Sequence, residues 1–272
     1  MTGGIYDMNI LVCVKQVPDT TEIKINPETN TLIREGVPSI LNTYDRYALE
    51  IAARIKDNQE AKIVAVSMGP EQAKNALKDC LSLGADKAYL VSDRKFGGSD
   101  TLATGYILSK AIKHIEEKEG LFDLIFCGKQ AIDGDTAQTG PQLAELLDYP
   151  QITCITDVTV KGTTIETERE TEYGKEVWES PLPVLLTVTK PAFKTRYPSI
   201  MSKLAANRAD IPVVSTAEIQ PQPERIGLSG SPTKVKKTFV PPRKSDIVII
   251  REATAKESAA KLVSLLGENK LI

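Results

Sequence analysis

Short, nearly continuous apolar runs alternate with helix-period stretches through the first 150 residues, and this alternation constrains the fold more than any other feature of the chain. Residues 9–14, 61–67 and 87–91, and the run Leu121, Leu124, Ile125, Phe126 and Cys127, read as strands covered on both faces. Between them the spacing predicts helices over 42–56, 71–83 and 99–119. Ala48, Leu49, Ile51, Ala52 and Ile55 mark the inner face of the first, and Gly84 stops the second. That order predicts an α/β fold: a parallel sheet with helices on both faces. Ligands of such sheets lie outside the carboxyl ends of the strands. Residues 23–35 read as a hairpin around a Pro-Glu-Thr-Asn turn. Beyond Pro150 the residues become β-branched and alternating, with Lys161-Gly162 and Tyr173-Gly174 as turns, which predicts antiparallel edge strands. Residues 183–188 return to a buried strand.

The stretch from Leu121 to Leu147 carries the main candidate site. A strand runs into a loop rich in Gly, Asp and Thr, then into a helix marked by Leu143, Leu146 and Leu147. Pro141 suits a helix's first turn, so the helix should begin near Thr139 or Gly140. Unpaired N–H groups and the helix dipole favour an anion at such a start. Gly128, Asp135, Thr136, Ala137, Gln138, Thr139 and Gly140 would form the cradle. It matches neither GxGxxG nor GxxxxGK[ST]. Lys129 is the one cation expected nearby, and Asp133 and Asp135 should point away from any phosphate. An ordinary capped turn with no ligand fits the same residues.

Other loops fall at the same predicted edge. Val14 opens one, running to Asp19; Met68-Gly69 ends a strand; and Gly97-Gly98 lead to Ser99, Asp100, Thr101 and Thr104 at a helix start. Each is also read as turn chemistry or capping. The later residues 227–233, GLSGSPT, lack a preceding strand and read as turns within an arm. From about Lys190 the chain holds half of its 16 prolines and little core-forming density. It reads as an extended C-terminal arm over a partner, or a disordered tail, ending in an amphipathic helix near 254–266.

Composition removes several function classes. Net charge is −2 and aromatics are 5%, so neither a basic stripe nor a stacking platform for nucleic acid is present. No apolar run approaches a membrane span of about 20 residues. The N-terminus lacks a secretory pattern, and the expectation is a cytoplasmic chain. Met8 opens the first strand, leaving residues 1–7 as an alternative start or a tag remnant. Cys13, Cys80, Cys127 and Cys154 are widely spaced and mostly in apolar runs, as buried thiols are. One histidine, His114, reads as a solvated helix residue, so neither a metal site nor a catalytic triad is expected.

Four segments together resemble the β subunit of electron-transfer flavoproteins: ILVCVKQVPDT, GKQAIDGDTAQTGPQLAE, PLPVLLTV and RYPSIM. The resemblance runs from Met8 over nearly the whole chain. It implies a Rossmann-like fold of the adenine-nucleotide-binding type and a heterodimer with an α subunit that carries FAD. DGDTAQTGPQLAE and GLSGSPTKVKKTF are similar to the flavin-bifurcating branch. That branch implies a second FAD in this subunit and NAD(H) as substrate. It also implies ferredoxin or flavodoxin and a flavin-dependent dehydrogenase as partners. The other branch implies a structural AMP instead, and a non-redox nucleotide-binding module is a third reading. The resemblance places Asp100, Thr101 and Thr104 at the flavin and Thr136 to Thr139 at its diphosphate. Leu41 to Asp45 lack the family's Asn-Pro. Tyr197, Ile200, Met201 and Leu204 match the recognition loop that meets the dehydrogenase; a helix packed on the chain's own body is the plainer reading. The implied organisation is a nucleotide domain over 8–190, the recognition region over 191–222, and an arm and helix over 223–272 that pack on the partner subunit.

Overall fold

A computed structural model describes residues 8–19, 38–236 and 247–272. The chain divides into two units, Met1–Lys236 and Lys237–Ile272. The hairpin expected over 23–35 and the first seven residues lie outside the described residues.

The first unit is built on a nine-stranded sheet. Its chain order begins with β1 (Met8–Cys13), the short antiparallel pair β2 (Gln16–Pro18) and β3 (Ser39–Leu41), and α1 (Thr43–Asn58). β4 (Ala61–Met68), α2 (Lys74–Ser82), β5 (Lys87–Val91) and α3 (Thr101–Glu119) follow. Next come β6 (Leu124–Gly128), α4 (Thr139–Leu147), β7 (Gln151–Lys161), β8 (Thr164–Thr171), β9 (Gly174–Pro181) and β10 (Val184–Val188). The unit ends through α5 (Ile200–Arg208), β11 (Val213–Val214) and α6 (Thr216–Ile219). Strand order is β11-β5-β4-β1-β6-β10-β7-β8-β9. The pairings from β11 to β7 are parallel, and β7, β8 and β9 form the antiparallel edge.

Each central strand feeds two cores because both of its faces are apolar. Ile10, Val12, Ile63 and Ala65 meet Ala48, Leu49, Ala76 and Leu77 of α1 and α2. Leu11, Val64 and Ile125 face the opposite way, toward Ile107, Ile112 and Leu143 of α3 and α4. The apolar run read from Leu121 begins later than expected: Leu121 is 74% exposed, Phe122 is buried in its place, and the strand starts at Leu124. His114 is only partly solvated. Its Nε2 is shielded without a partner among the described residues, and its Nδ1 lies 3.5 Å from Glu117.

The amino ends of the strands are tied by one carboxylate. Glu119, at the end of α3, accepts from Lys62 Nζ at 2.6 Å, from Lys87 Nζ at 2.9 Å and from the Tyr89 hydroxyl. Burial opposes its ionisation, but the three donors pull its carboxyl down to about 2.

The expectation of an arm from about Lys190 needs correction. Ile211, Val214, Ile219 and Ile226 are buried. Val213–Val214 extends the sheet beside β5. Isolated apolar residues among prolines gave no periodicity to read, yet each fills a place on the body. The second unit contains α7 (Ala255–Glu268), which starts with a reciprocal cap between Thr254 and Glu257.

Candidate functional site

From β1 the sheet grows through β4 and β5 on one side and through β6 on the other. The strand order therefore reverses between β1 and β6, and the crevice outside the carboxyl ends at such a reversal is where sheets of this kind bind ligands. Cys13 lies opposite Cys127, so the loops after Cys13 and Gly128 leave the sheet side by side. The start of α1 fastens these loops together. Asp45 Oδ2 accepts from Lys15 N at 2.7 Å and Oδ1 accepts from Gly128 N at 3.1 Å. Asn42 donates to Gln130 O at 2.9 Å and accepts from Ile132 N at 3.1 Å. Burial pushes the Asp45 carboxyl up to about 7, against these amide donors and the Lys15 charge. A Cβ on Gly128 would fall 2.2 Å from Asp45 Oδ1 and 2.7 Å from Asp45 N. Only glycine permits that approach.

Above this junction the β6–α4 loop turns back on itself. The amides of Gly134 and Asp135 donate to Ala131 O at 3.2 and 2.9 Å, and Gln130 Nε2 donates to Asp135 at 2.7 Å. Asp135 and Ala137 adopt left-handed backbone, with φ of 50° and 53°. Alternating handedness turns successive N–H groups into one concavity, an anion-binding arrangement. Among the described residues, the amides of Thr136, Ala137, Gln138 and Thr139 have no protein acceptor. Gln138 gives α4 no side-chain cap either. A Cβ on Gly140 would lie 2.6 Å from Thr187 Cγ2, so its absence lets the helix start settle onto β10.

A second helix start stands beside the first. Gly105 allows α3 to approach α4, with its missing Cβ 3.3 Å from Leu146 and 3.6 Å from Gln142. Both helices begin at the carboxyl edge of the sheet and lie on the same face. Asp100 caps α3 through a 3.0 Å bond from Ala103 N, and Thr101 and Thr104 are half-buried in its first turn. The structure thus gathers Gly128, Asp135 to Gly140, Asp100, Thr101 and Thr104 at one edge. Met68 and Gly69 end β4 at that edge, beyond β1. Val14 reaches it only with its backbone, because its side chain is buried in the core.

One expectation about charge changes. Lys129 is not the sole cation at the crevice: Lys15 Nζ reaches Asp133 at 2.7 Å, bridging the two loops. Asp133 and Asp135 are both turned onto protein donors. The structural roles of Asn42 and Asp45 were missed from sequence. Their signal was a polar pair three residues apart at a helix start, which also reads as simple capping.

A separate surface lies on α5. Ala206 buries the helix against the body, while Tyr197, Ile200, Met201 and Leu204 are 87%, 80%, 75% and 47% exposed. This segment is anchored just upstream. Arg196 donates from N and Nε to Glu50 Oε2 at 2.8 and 3.0 Å, and from Nη2 to Asp57 at 2.7 Å. Arg46 donates to Arg196 O at 3.1 Å, and its guanidinium lies 5.8 Å from the Tyr197 ring centre.

Known proteins share this sequence over its length. Residues 29–219 match the electron transfer flavoprotein domain. The chain is 51% identical over 255 residues to electron transfer flavoprotein subunit beta of Megasphaera elsdenii, covering 93% of this chain and 94% of that one. It is 46% identical over 266 residues to the caffeyl-CoA reductase-Etf complex subunit CarD of Acetobacterium woodii, covering 97% and 100%. Protein FixA of Azotobacter vinelandii is 46% identical over 248 residues, covering 88% and 86%. With an α/β sheet of this order and matches of this extent, the chain belongs to the electron transfer flavoprotein family, among its β subunits.

Proposed function

We propose that this chain is the flavin-binding β subunit of a bifurcating electron-transfer flavoprotein. An FAD bound here would supply hydride chemistry with NADH and pass electrons to ferredoxin or flavodoxin and, through the α-subunit FAD, to a flavin-dependent dehydrogenase. The observation that carries the reading is the uncapped start of α4, with four amides that have no acceptor among the described residues, beside the start of α3. That donor set fits a diphosphate: neutral N–H groups at the start of one helix beside the start of another, with Lys15 and Lys129 on the flanking loops. The residues have distinct tasks. Amides from Thr136 to Thr139 hold phosphate oxygens, and the Thr136 and Thr139 hydroxyls add donors. Thr101 and Thr104 present hydroxyls from the neighbouring helix. The backbones of Gly69 and Val14 would lie under a flat ring at the ends of β4 and β1. No side chain needs to move a proton, which agrees with a crevice whose acids are engaged with protein donors. Tyr197, Ile200, Met201 and Leu204 offer the dehydrogenase an apolar contact, and the second unit packs on the α subunit.

The heterodimer purified with its α subunit tests this directly. Two FAD and no AMP per heterodimer is the expected count. One FAD and one AMP would sink the bifurcating assignment in favour of a β subunit with structural AMP. In the same complex, replacing Thr136 and Thr139 with alanine should lower nucleotide retention by about a hundredfold, for two lost donors to charged phosphate. Unchanged retention would remove their role.

A further inference from the structure

Two threonines clip the end of the first unit to the loop before α3. Thr216 donates its amide, at 3.2 Å, and its hydroxyl to Oδ2 of Asp93. Thr233 repeats the pattern on Asp100, with its amide at 2.9 Å and its hydroxyl at 2.7 Å from Oδ2. Between the clips the segment lies along α3: Gln222 N donates to the Tyr106 hydroxyl at 3.1 Å, and the Arg225 guanidinium stacks 3.9 Å from the Tyr106 ring centre. Gly227 N donates to Ser99 Oγ at 3.0 Å. Ser231 Oγ accepts from Asp100 N at 2.8 Å and donates to Gly227 O at 2.7 Å. Gly227 has φ of 62° and its missing Cβ would fall 2.4 Å from Lys95 O, so a side chain there would lift the segment off the loop. Residues 227–230 are turns as expected, but the segment 227–233 is tied to the body rather than lying in an arm.

These contacts leave Asp100 with a different task from the one its position suggests. Oδ1 takes the Ala103 amide, and Oδ2 takes both donors of Thr233. Both oxygens are turned into the protein. We propose that Ser231 and Thr233 are positioning residues for the nucleotide site: they hold Asp100 inward and so set the first turn of α3, with Thr101 and Thr104, beside the start of α4. This rests on the reading of that edge as the nucleotide site and deepens it. The physical reason is twofold. A capped, twice-clipped carboxylate fixes the loop that carries the hydroxyl donors. Released from Thr233, the same carboxylate would place a negative charge beside the phosphate cradle, where like charges repel. The clip at Asp93 uses the same chemistry seven residues earlier, at the far end of the loop, and serves as an internal comparison.

The test uses the full heterodimer, stripped of β-site nucleotide and titrated separately with FAD and AMP. Thr233→Val removes the hydroxyl donor to an ionised group and should weaken binding of the native nucleotide by about tenfold. Thr233→Ser keeps the donor and should restore it. Thr216→Val should lower the thermal midpoint while leaving nucleotide affinity within about twofold, since its partner does not reach the start of α3. Wild-type affinity in Thr233→Val would overturn the proposal. Equal weakening by Thr216→Val would do so too, by showing a general loosening. If the unaltered β subunit takes up neither nucleotide, the site assignment itself fails and the positioning role falls with it.

Discussion

Replacing Gly128 with alanine probes the junction that closes the crevice. The added methyl would stand 2.2 Å from Asp45 Oδ1, 2.7 Å from Asp45 N and 2.7 Å from Tyr44 C. Ordinary carbon contacts need about 3.5 Å or more, so α1 or the end of β6 must shift by roughly 1 Å. Two of those three atoms are backbone and belong to a helix start packed in the core, so no side-chain rotation relieves the overlap. Overpacking of this kind costs about 1–3 kcal/mol. Displacing the loop also breaks the 3.1 Å bond from Gly128 N to Asp45, which leaves a buried carboxyl with one donor fewer, for about 1–3 kcal/mol more. The expected total is about 2–6 kcal/mol, read as a drop in the urea midpoint at unchanged slope. Gly134→Ala is the comparison: it lies in the same loop with nothing within 4 Å of its missing Cβ. It should stay within about 0.5 kcal/mol of the unaltered protein. If Gly128→Ala loses under about 1 kcal/mol, close approach is not what glycine supplies there.

Two further outcomes follow from the same geometry. Asp45 should make stability depend on pH near neutrality. Its carboxyl is raised from 3.8 to about 7, so the folded chain keeps a proton that the unfolded chain releases. The stability it contributes is complete below about pH 4 and is lost as pH rises through 7, by up to about 4 kcal/mol. Asp45→Asn should flatten that slope in urea titrations run at several pH values, and identical slopes in both proteins would refute the assignment. Arg196→Ala should expose the segment around Tyr197 to limited proteolysis, because it leaves Glu50, whose side chain is 7% exposed, without its cation. Arg196→Lys should not protect the segment, since one ammonium cannot fork between Glu50 and Asp57. Protection by lysine would show that charge alone anchors it.

Much of the fold was legible because its signals are local. The runs at β1, β4, β5 and β10 are apolar on both faces, and the turns at Gly162 and Gly174 announce the antiparallel edge. The start of α4 at Thr139 follows from Pro141 in the first turn. What stayed hidden depends on contacts far apart in sequence. Asp45 meets Gly128 across 83 residues, and Asp100 meets Thr233 across 133. Neither distance leaves a periodicity. The segment from Ile211 to Ile226 misled for a related reason: four buried residues spaced among prolines have neither a helix nor a strand period. Leu121 shows the opposite error, where an apolar residue adjoining a strand is solvent-facing. The exposed row on α5 could be suspected from its residue types, but only its packing through Ala206 shows which side faces outward.

The knot at Glu119 has a consequence for how this architecture diversifies. It joins the beginnings of β4 and β5 to the end of α3, at the opposite end of the strands from the loops after Cys13 and Gly128. The chain thus separates durability from the candidate site by the length of its strands. Loops at the opposite end can be rewritten, residue by residue, while the scaffold under them keeps its anchorage. Changes in those loops can accumulate without first costing the stability of the scaffold beneath them.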